Sequence, residues 1–257
     1  MQNVLRFNEK MNKVKERMDL IKKGISILDK IEIIKFFINR KKINGCKVKI
    51  TKNSTIFVRK NSPNDLWMCS PEMDKKIFDY IKKSKPERIL DIGANIGRHT
   101  LQFSENQKSK IISFEPQKDT FEALKRNVYL NKRKNVRLFN IGLFDENKEV
   151  ELNICDSNCG ANSIALKRDG KKEKIFVQKL DDFLKKENFS PDFIKIDVEG
   201  AELNVLKGAI NTIKKNGPII YLEILKDKRG IFKLLEDNNY SLNYFGGDNF
   251  LAIKKNE

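Results

Sequence analysis

The sequence predicts an α/β protein built on a doubly wound, mostly parallel sheet, and three observations carry that prediction. From about residue 70, short apolar runs alternate with longer amphipathic ones. A glycine turn, Gly93-Ala94-Asn95-Ile96-Gly97, follows the first of those runs. Carboxylates end several runs, among them Asp91, Glu115 and Asp197, at the strand ends where such sheets bind ligands.

Taken in order, residues 89–92 read as the first strand and residues 110–114 as the second, with a helix over 121–130. Residues 136–141 form the third strand and 193–197 the fourth, followed by a helix over 201–213. Residues 218–224 are the fifth strand. A helix over 231–236 leads to two last strands, 241–245 and 250–254, expected as a closing antiparallel hairpin.

Two zones precede this domain. Val4, Phe7, Met11, Val14, Met18, Ile21, Ile25 and Leu28 follow one another in steps of three and four, which draws a single apolar stripe along a helix. The repeat admits a homodimeric coiled coil through residues 4–28. A helix packed on its own chain is favoured, because Gly24 interrupts the pattern and the phase slips after Leu28. The next segment, IEIIKFFINRKK, is apolar and then basic, which would suit peripheral contact with a membrane surface, although a buried helix end is the commoner explanation. Residues 46–51 and 55–60 read as short strands joined by Lys52-Asn53-Ser54. The expected organisation is a basic helical extension over 1–45, a β lead-in over 46–70 and the α/β domain over 71–257.

Composition narrows the class. Hydrophobic residues make up 39% and charged residues 34% of 257. No apolar run reaches the roughly 20 residues of a membrane-spanning helix, and Arg6, Glu9 and Lys10 interrupt any leader-like stretch. A cytoplasmic location is expected, with the inner face of the membrane within reach of the basic N-terminus. The net charge is +17, of which residues 1–60 contribute +12. Such an arm suits anionic partners, but Lys far outnumbers Arg, the residue favoured for specific nucleic-acid contacts. Compositional bias is the preferred explanation, and nucleic acid is not expected as a partner. Cys155 and Cys159 form the one close cysteine pair, with no histidine nearby. Zinc needs four ligands, so reduced thiols and no metal are expected.

The chemistry is concentrated at the strand ends. Gly93 and Gly97 let backbone approach a ligand without an intervening Cβ. The loop lacks the Gly-x-Gly-x-x-Gly spacing that seats a pyrophosphate. S-adenosylmethionine has an ammonium, a sulfonium and a ribose but no phosphate, so carboxylates around the loop suit it. Asp91 is one such carboxylate, and Glu115 is another, 22 residues after Gly93, where it can accept from both ribose hydroxyls. Asn95 belongs to the same turn, and adenine recognition is expected from residues 140–142, including Asn140 and Gly142. DFIKIDVEGAE crowds Asp197, Glu199 and Glu202 at a strand-to-helix junction. Capping is the usual role of such acids and is the reading for Glu202. Asp197 is the first candidate for general base, Glu199 the second, and His99, the sole histidine, the third. Lys195, inside an apolar strand, requires an acidic partner or an edge.

At these residues the chain resembles the FkbM family of S-adenosylmethionine-dependent methyltransferases, over roughly residues 55–225. Four blocks match in order: ILDIGANIGRHT, FEPQKDTFEALKRN, Asn162-Ser163, and LDDFL followed by DFIKIDVEGAELNVLKGA. KIDVEGAE is the most distinctive, and TIFVRKNSPNDLW resembles the strand and loop that precede the domain in relatives. The resemblance implies a class I methyltransferase (Rossmann-like) fold, usually of seven strands, and transfer most often to a hydroxyl oxygen. Relatives act on sugars of surface glycans and signalling saccharides, or on secondary metabolites. The implied acceptor is a saccharide or a small-molecule hydroxyl, with Asn162 and Ser163 on a loop over the cleft. Two other readings compete: an RNA methyltransferase holding phosphates with its basic arm, and a non-catalytic scaffold that retains the cofactor fold. The first lacks an Asn-Pro-Pro-Tyr type loop and interleaved aromatics for base stacking; the second has to explain an intact loop flanked by Asp91 and Glu115.

Overall fold

The computed structural model describes residues 44–60, 62–70, 74–154, 162–165 and 171–255. The helical stripe over 4–28, the basic segment after it, Cys155 and Cys159 lie outside the described residues. The chain divides into two compact units, Met1–Lys75 and Lys76–Glu257. In the first, strands β1 (Gly45–Lys49) and β2 (Thr55–Arg59) pair antiparallel, with Val48 opposite Ile56 and both fully buried. A short helix α1 (Pro63–Trp67) follows, and its buried Asp65 accepts a two-pronged hydrogen bond from Arg59, at 2.8 and 2.9 Å.

The second unit holds α2 (Lys75–Ser84, its first residue aside), β3 (Arg88–Ile92), α3 (Arg98–Phe103), β4 (Lys110–Phe114), α4 (Lys118–Leu130) and β5 (Val136–Phe139). After these come β6 (Gly142–Leu143), β7 (Lys148–Asn153), β8 (Lys172–Gln178), α5 (Leu180–Glu187) and β9 (Phe193–Ile196). The chain ends with α6 (Glu202–Gly208), α7 (Ile210–Asn216), β10 (Ile219–Glu223), α8 (Lys228–Glu236), β11 (Tyr240–Gly246) and β12 (Asn249–Lys254). The seven-stranded sheet runs β11-β12-β10-β9-β3-β4-β5, parallel except for the β11–β12 hairpin and its pairing to β10. This is the class I methyltransferase, Rossmann-like arrangement. Strand order reverses between β3 and β9, which sets the ligand crevice at their carboxyl ends.

Alternation along the strands builds two cores. Leu90, Ile112, Ile194, Ile196, Ile220 and Leu222 face α5, α6, α7 and α8, which contribute Leu184, Val205, Ile213 and Leu235. Ile89, Ile111, Phe193 and Tyr221 face the other way, onto Ile77, Phe78 and Ile81 of α2 and Phe103 of α3. Both faces are covered, so the central strands read as mostly apolar runs, interrupted at Asp91, Ser113 and Lys195.

Three features depart from the sequence expectation. The run 136–141 stops as a strand at Phe139, and Gly142–Leu143 joins a separate sheet ordered β6-β8-β7. Strands β7 and β8 were not anticipated. The helix expected over 201–213 is two helices meeting at Ala209 (φ −112°, ψ 10°). The break leaves the first amide groups of α7 open, and Asp181 of α5 accepts from Asn211 N at 2.9 Å, Thr212 N at 2.8 Å and Thr212 Oγ1 at 2.6 Å.

Gly208 gives this junction a test in which two effects oppose each other. In a helix, alanine is preferred over glycine by about 1 kcal/mol, but a Cβ at Gly208 would stand 2.0 Å from the Phe144 carbonyl oxygen. Contact with fixed backbone wins, so Gly208→Ala should lower the urea midpoint, costing about 2–4 kcal/mol. A raised midpoint would show that the 144–145 turn yields freely.

Candidate active site

A cleft opens at the carboxyl ends of β3, β4 and β9. Ile92, Phe114, Ile141 and Leu143 supply its apolar side; Asn95, Glu115, Asn162, Asp197 and Glu199 supply its polar groups. Every charged residue among those lining it is acidic. That pattern opposes a diphosphate and suits a cationic cofactor with a ribose.

The loop after β3 is shaped by backbone conformations that constrain residue choice. Gly93 has φ +76°, and a Cβ there would lie 1.8 Å from the Asp197 carbonyl oxygen. The two crossover loops therefore touch through the hydrogen atoms of a glycine. Asn95 is left-handed (φ 51°) and uses its own Oδ1 to accept from Ile96 N at 2.8 Å. Gly97 (φ 95°) leads into α3; it does not line the cleft, and a Cβ there would meet Leu124 Cδ1 at 2.6 Å.

Glu115 ends β4 with only 7% of its surface exposed. Oε2 accepts from Asn95 N at 2.9 Å and Oε1 from Gln117 N at 3.0 Å, which fixes the carboxylate across the loop. Burial, working against those two donors, pushes its pKa up to about 7. Each oxygen keeps acceptor capacity for a further hydroxyl.

Asp91 occupies a different place from the one its sequence position suggests. It is fully buried and absent from the cleft lining; Thr100 Oγ1 donates to its Oδ2 at 2.5 Å and Lys195 Nζ stands 3.4 Å from Oδ1. Its carboxylate lies among these groups and carries the loop from beneath. Lys195, 2% exposed, also donates to Gly93 O at 2.7 Å and pairs with Asp197 Oδ2 at 3.1 Å. Burial, the largest influence, would push this ammonium down, but Asp197 and Asp91 outweigh it and hold the group above its ordinary value.

Other expected residues sort into lining and supporting positions. Gly142 and Asn162 line the cleft. Asn140 does not; its Nδ2 donates to the carbonyls of Glu115 and Pro116 at 2.8 and 2.9 Å, which holds the turn after β4. Ser163 is fully buried, and its Oγ donates to Glu199 O at 2.5 Å, anchoring a turn in which Glu199 (φ 55°) and Gly200 (φ 100°) are both left-handed. Glu202 Oε1 accepts from Gly200 N at 2.8 Å, which ties the residue before the N-cap to the first turn; no side-chain hydrogen bond caps α6, so the capping expected from sequence is not what Glu202 does. His99 is 6% exposed, packs its ring 5.2 Å from Phe78 and 5.7 Å from Phe103, and is not among the lining residues.

Sequence reasoning missed the small sheet, whose Leu152 reaches the cleft. The period-two alternation of KEVELN and KEKIFVQ was the available signal. Glu223 ends β10 beside Asp197, and its pKa is raised by burial and then by Asp197 and Glu199.

The residues fit S-adenosylmethionine. Glu115 supplies paired acceptors, the glycine turn removes side chains from the approach, and no basic group among the described lining residues opposes a cation.

Comparison with known proteins agrees. The Methyltransferase FkbM domain matches residues 91–242. Methyltransferase 1 of Beauveria bassiana is 25% identical over 189 residues, covering 63% of this chain and 74% of that protein. Hexuronic acid methyltransferase AglP of Haloferax volcanii is 29% identical over 169 residues, covering 63% and 66%. A solved structure of methyltransferase FkbM from Methylobacillus flagellatus shares 19% identity at a TM-score of 0.49; the match covers 65% of this chain and 43% of that one, less than half its length. This chain belongs to the FkbM methyltransferase family, and its cofactor is S-adenosylmethionine.

Proposed function

We propose that the chain methylates a hydroxyl oxygen of a sugar in a glycan or glycolipid, with Asp197 as general base and Glu199 as its neighbour on the acceptor side. The observation that carries this reading is that Asp197 and Glu199 line the same cleft as Gly93, Asn95 and Glu115. The cofactor supplies a methyl group made electrophilic by its sulfonium. The protein's own work is alignment and proton removal. Glu115 holds the ribose hydroxyls, the left-handed turn at Asn95 presents backbone, and Asp197 accepts the hydroxyl proton as the oxygen–carbon bond forms and the carbon–sulfur bond breaks. A hydroxyl has little nucleophilicity until that proton leaves, and one positioned base contributes about 10²–10⁴-fold. The relative named for hexuronic acid supports a sugar acceptor. The acidic lining disfavours a polyanion such as RNA.

Three outcomes follow. Ribose hydroxyls donate to ionised Glu115, so binding favours its deprotonated form. Affinity for S-adenosylhomocysteine, measured by calorimetry from about pH 5 to pH 9, should rise up to about tenfold per unit below pH 7 and level off above it, in line with the raised Glu115 pKa. A flat profile would remove Glu115 as the ribose acceptor. Methyl-labelled cofactor incubated with fractionated lysate of the source cells should label polysaccharide or glycolipid, resistant to nuclease and protease. Asp197→Asn should lose that transfer about 10²-fold or more while still binding cofactor; label in RNA, or full transfer by the variant, would overturn the acceptor or the base respectively.

A further inference from the structure

Asp197 stands between two groups that act on it in opposite directions. Lys195 lies two residues back on β9, hence on the same face, with Nζ 3.1 Å from Asp197 Oδ2. On the other side, β10 runs parallel with Leu222 beside Ile196, so Glu223 and Asp197 leave adjacent strands side by side. Burial raises the Glu223 carboxyl well above its ordinary range, and the neighbouring Asp197 and Glu199 raise it further. Two carboxyl groups set side by side repel less when one of them carries a proton.

We propose that Glu223 is a positioning residue for methyl transfer, sharing one proton with Asp197 over the Lys195 ammonium so that the pair accepts the acceptor's proton as a unit. The inference rests on Asp197 being the base. Before reaction the pair holds one proton and one negative charge, which Lys195 balances. As the oxygen–methyl bond forms, the hydroxyl proton passes to the pair, which becomes neutral and later returns that proton to solvent.

The surroundings explain why two carboxyls share. Asp91 from β3 shares the Lys195 ammonium; Glu115 from β4, Glu199 from the turn after β9 and Glu202 from α6 add like charge nearby, and among the described residues Lys195 is the one cation acting on Glu223. A second full charge on the pair would therefore meet several like charges with a single counter-ion. Paired groups of this kind titrate as a couple in two steps.

The test is carboxyl-carbon NMR of the full chain labelled in Asp and Glu, which needs no acceptor. In the wild type, Glu223 should titrate in two steps, with the upper step well above the ordinary carboxylate range. Asp197→Asn should leave Glu223 titrating in a single step, its midpoint lower by about one unit or more. With a labelled acceptor fraction, Glu223→Gln should also move the rising limb of kcat/KM to higher pH, because a shared proton no longer stabilises the singly charged pair, a shift that mere loosening of the fold would not produce. A Glu223 midpoint unmoved by Asp197→Asn overturns the pair. The two readings fail separately: a coupled titration together with full transfer by Asp197→Asn overturns the base assignment and the catalytic part of this inference.

Discussion

One buried ammonium ties the site together. Lys195 sits in a four-residue strand whose other members are all apolar, and it is 2% exposed. An isolated ion there would cost several kcal/mol. It is held because three acceptors converge on it from two strands and a loop: Asp91 on β3, Gly93 O in the glycine turn, and Asp197 at the end of β9. Those are the two strands between which sheet order reverses, so the contact that neutralises Lys195 also sets the width of the crevice.

The remaining geometry follows from that clamp. With Gly93 O drawn onto Lys195, the loop passes close enough to Asp197 O that only hydrogen fits at Gly93. The loop then offers Asn95 N to Glu115, and Glu115 also receives Gln117 N, which orders the end of β4 and the start of α4. Ser163 fastens the small sheet to the Glu199 turn on the opposite wall. Glu115, Asp197 and Glu199 are thereby built on one rigid frame, the condition that alignment-driven chemistry requires.

Much of this was legible in the sequence because the central strands are buried on both sides. Runs such as ILDI and FIKI have no competing period, so their positions came within a residue. The direction of side chains at their ends was less legible. Asp91 and Glu115 look alike in sequence, yet one points beneath the loop and the other into the cleft. His99 was a candidate as the sole histidine, but the turn of α3 carries it onto Phe78. The split between α6 and α7 depends on Asp181 and on the approach of Phe144 to Gly208, contacts distant along the chain that no local pattern encodes. The charged faces of β7 and β8 hid two strands whose core residues are Leu152, Ile175 and Val177.

The most direct test of the account is a crystal structure of the full chain with S-adenosylhomocysteine. The account predicts both ribose hydroxyls within hydrogen-bond distance of the Glu115 carboxylate, with Asp197 facing the sulfur across open space wide enough for an acceptor oxygen. Ribose bound away from Glu115, or a sulfur shielded from Asp197, would contradict it.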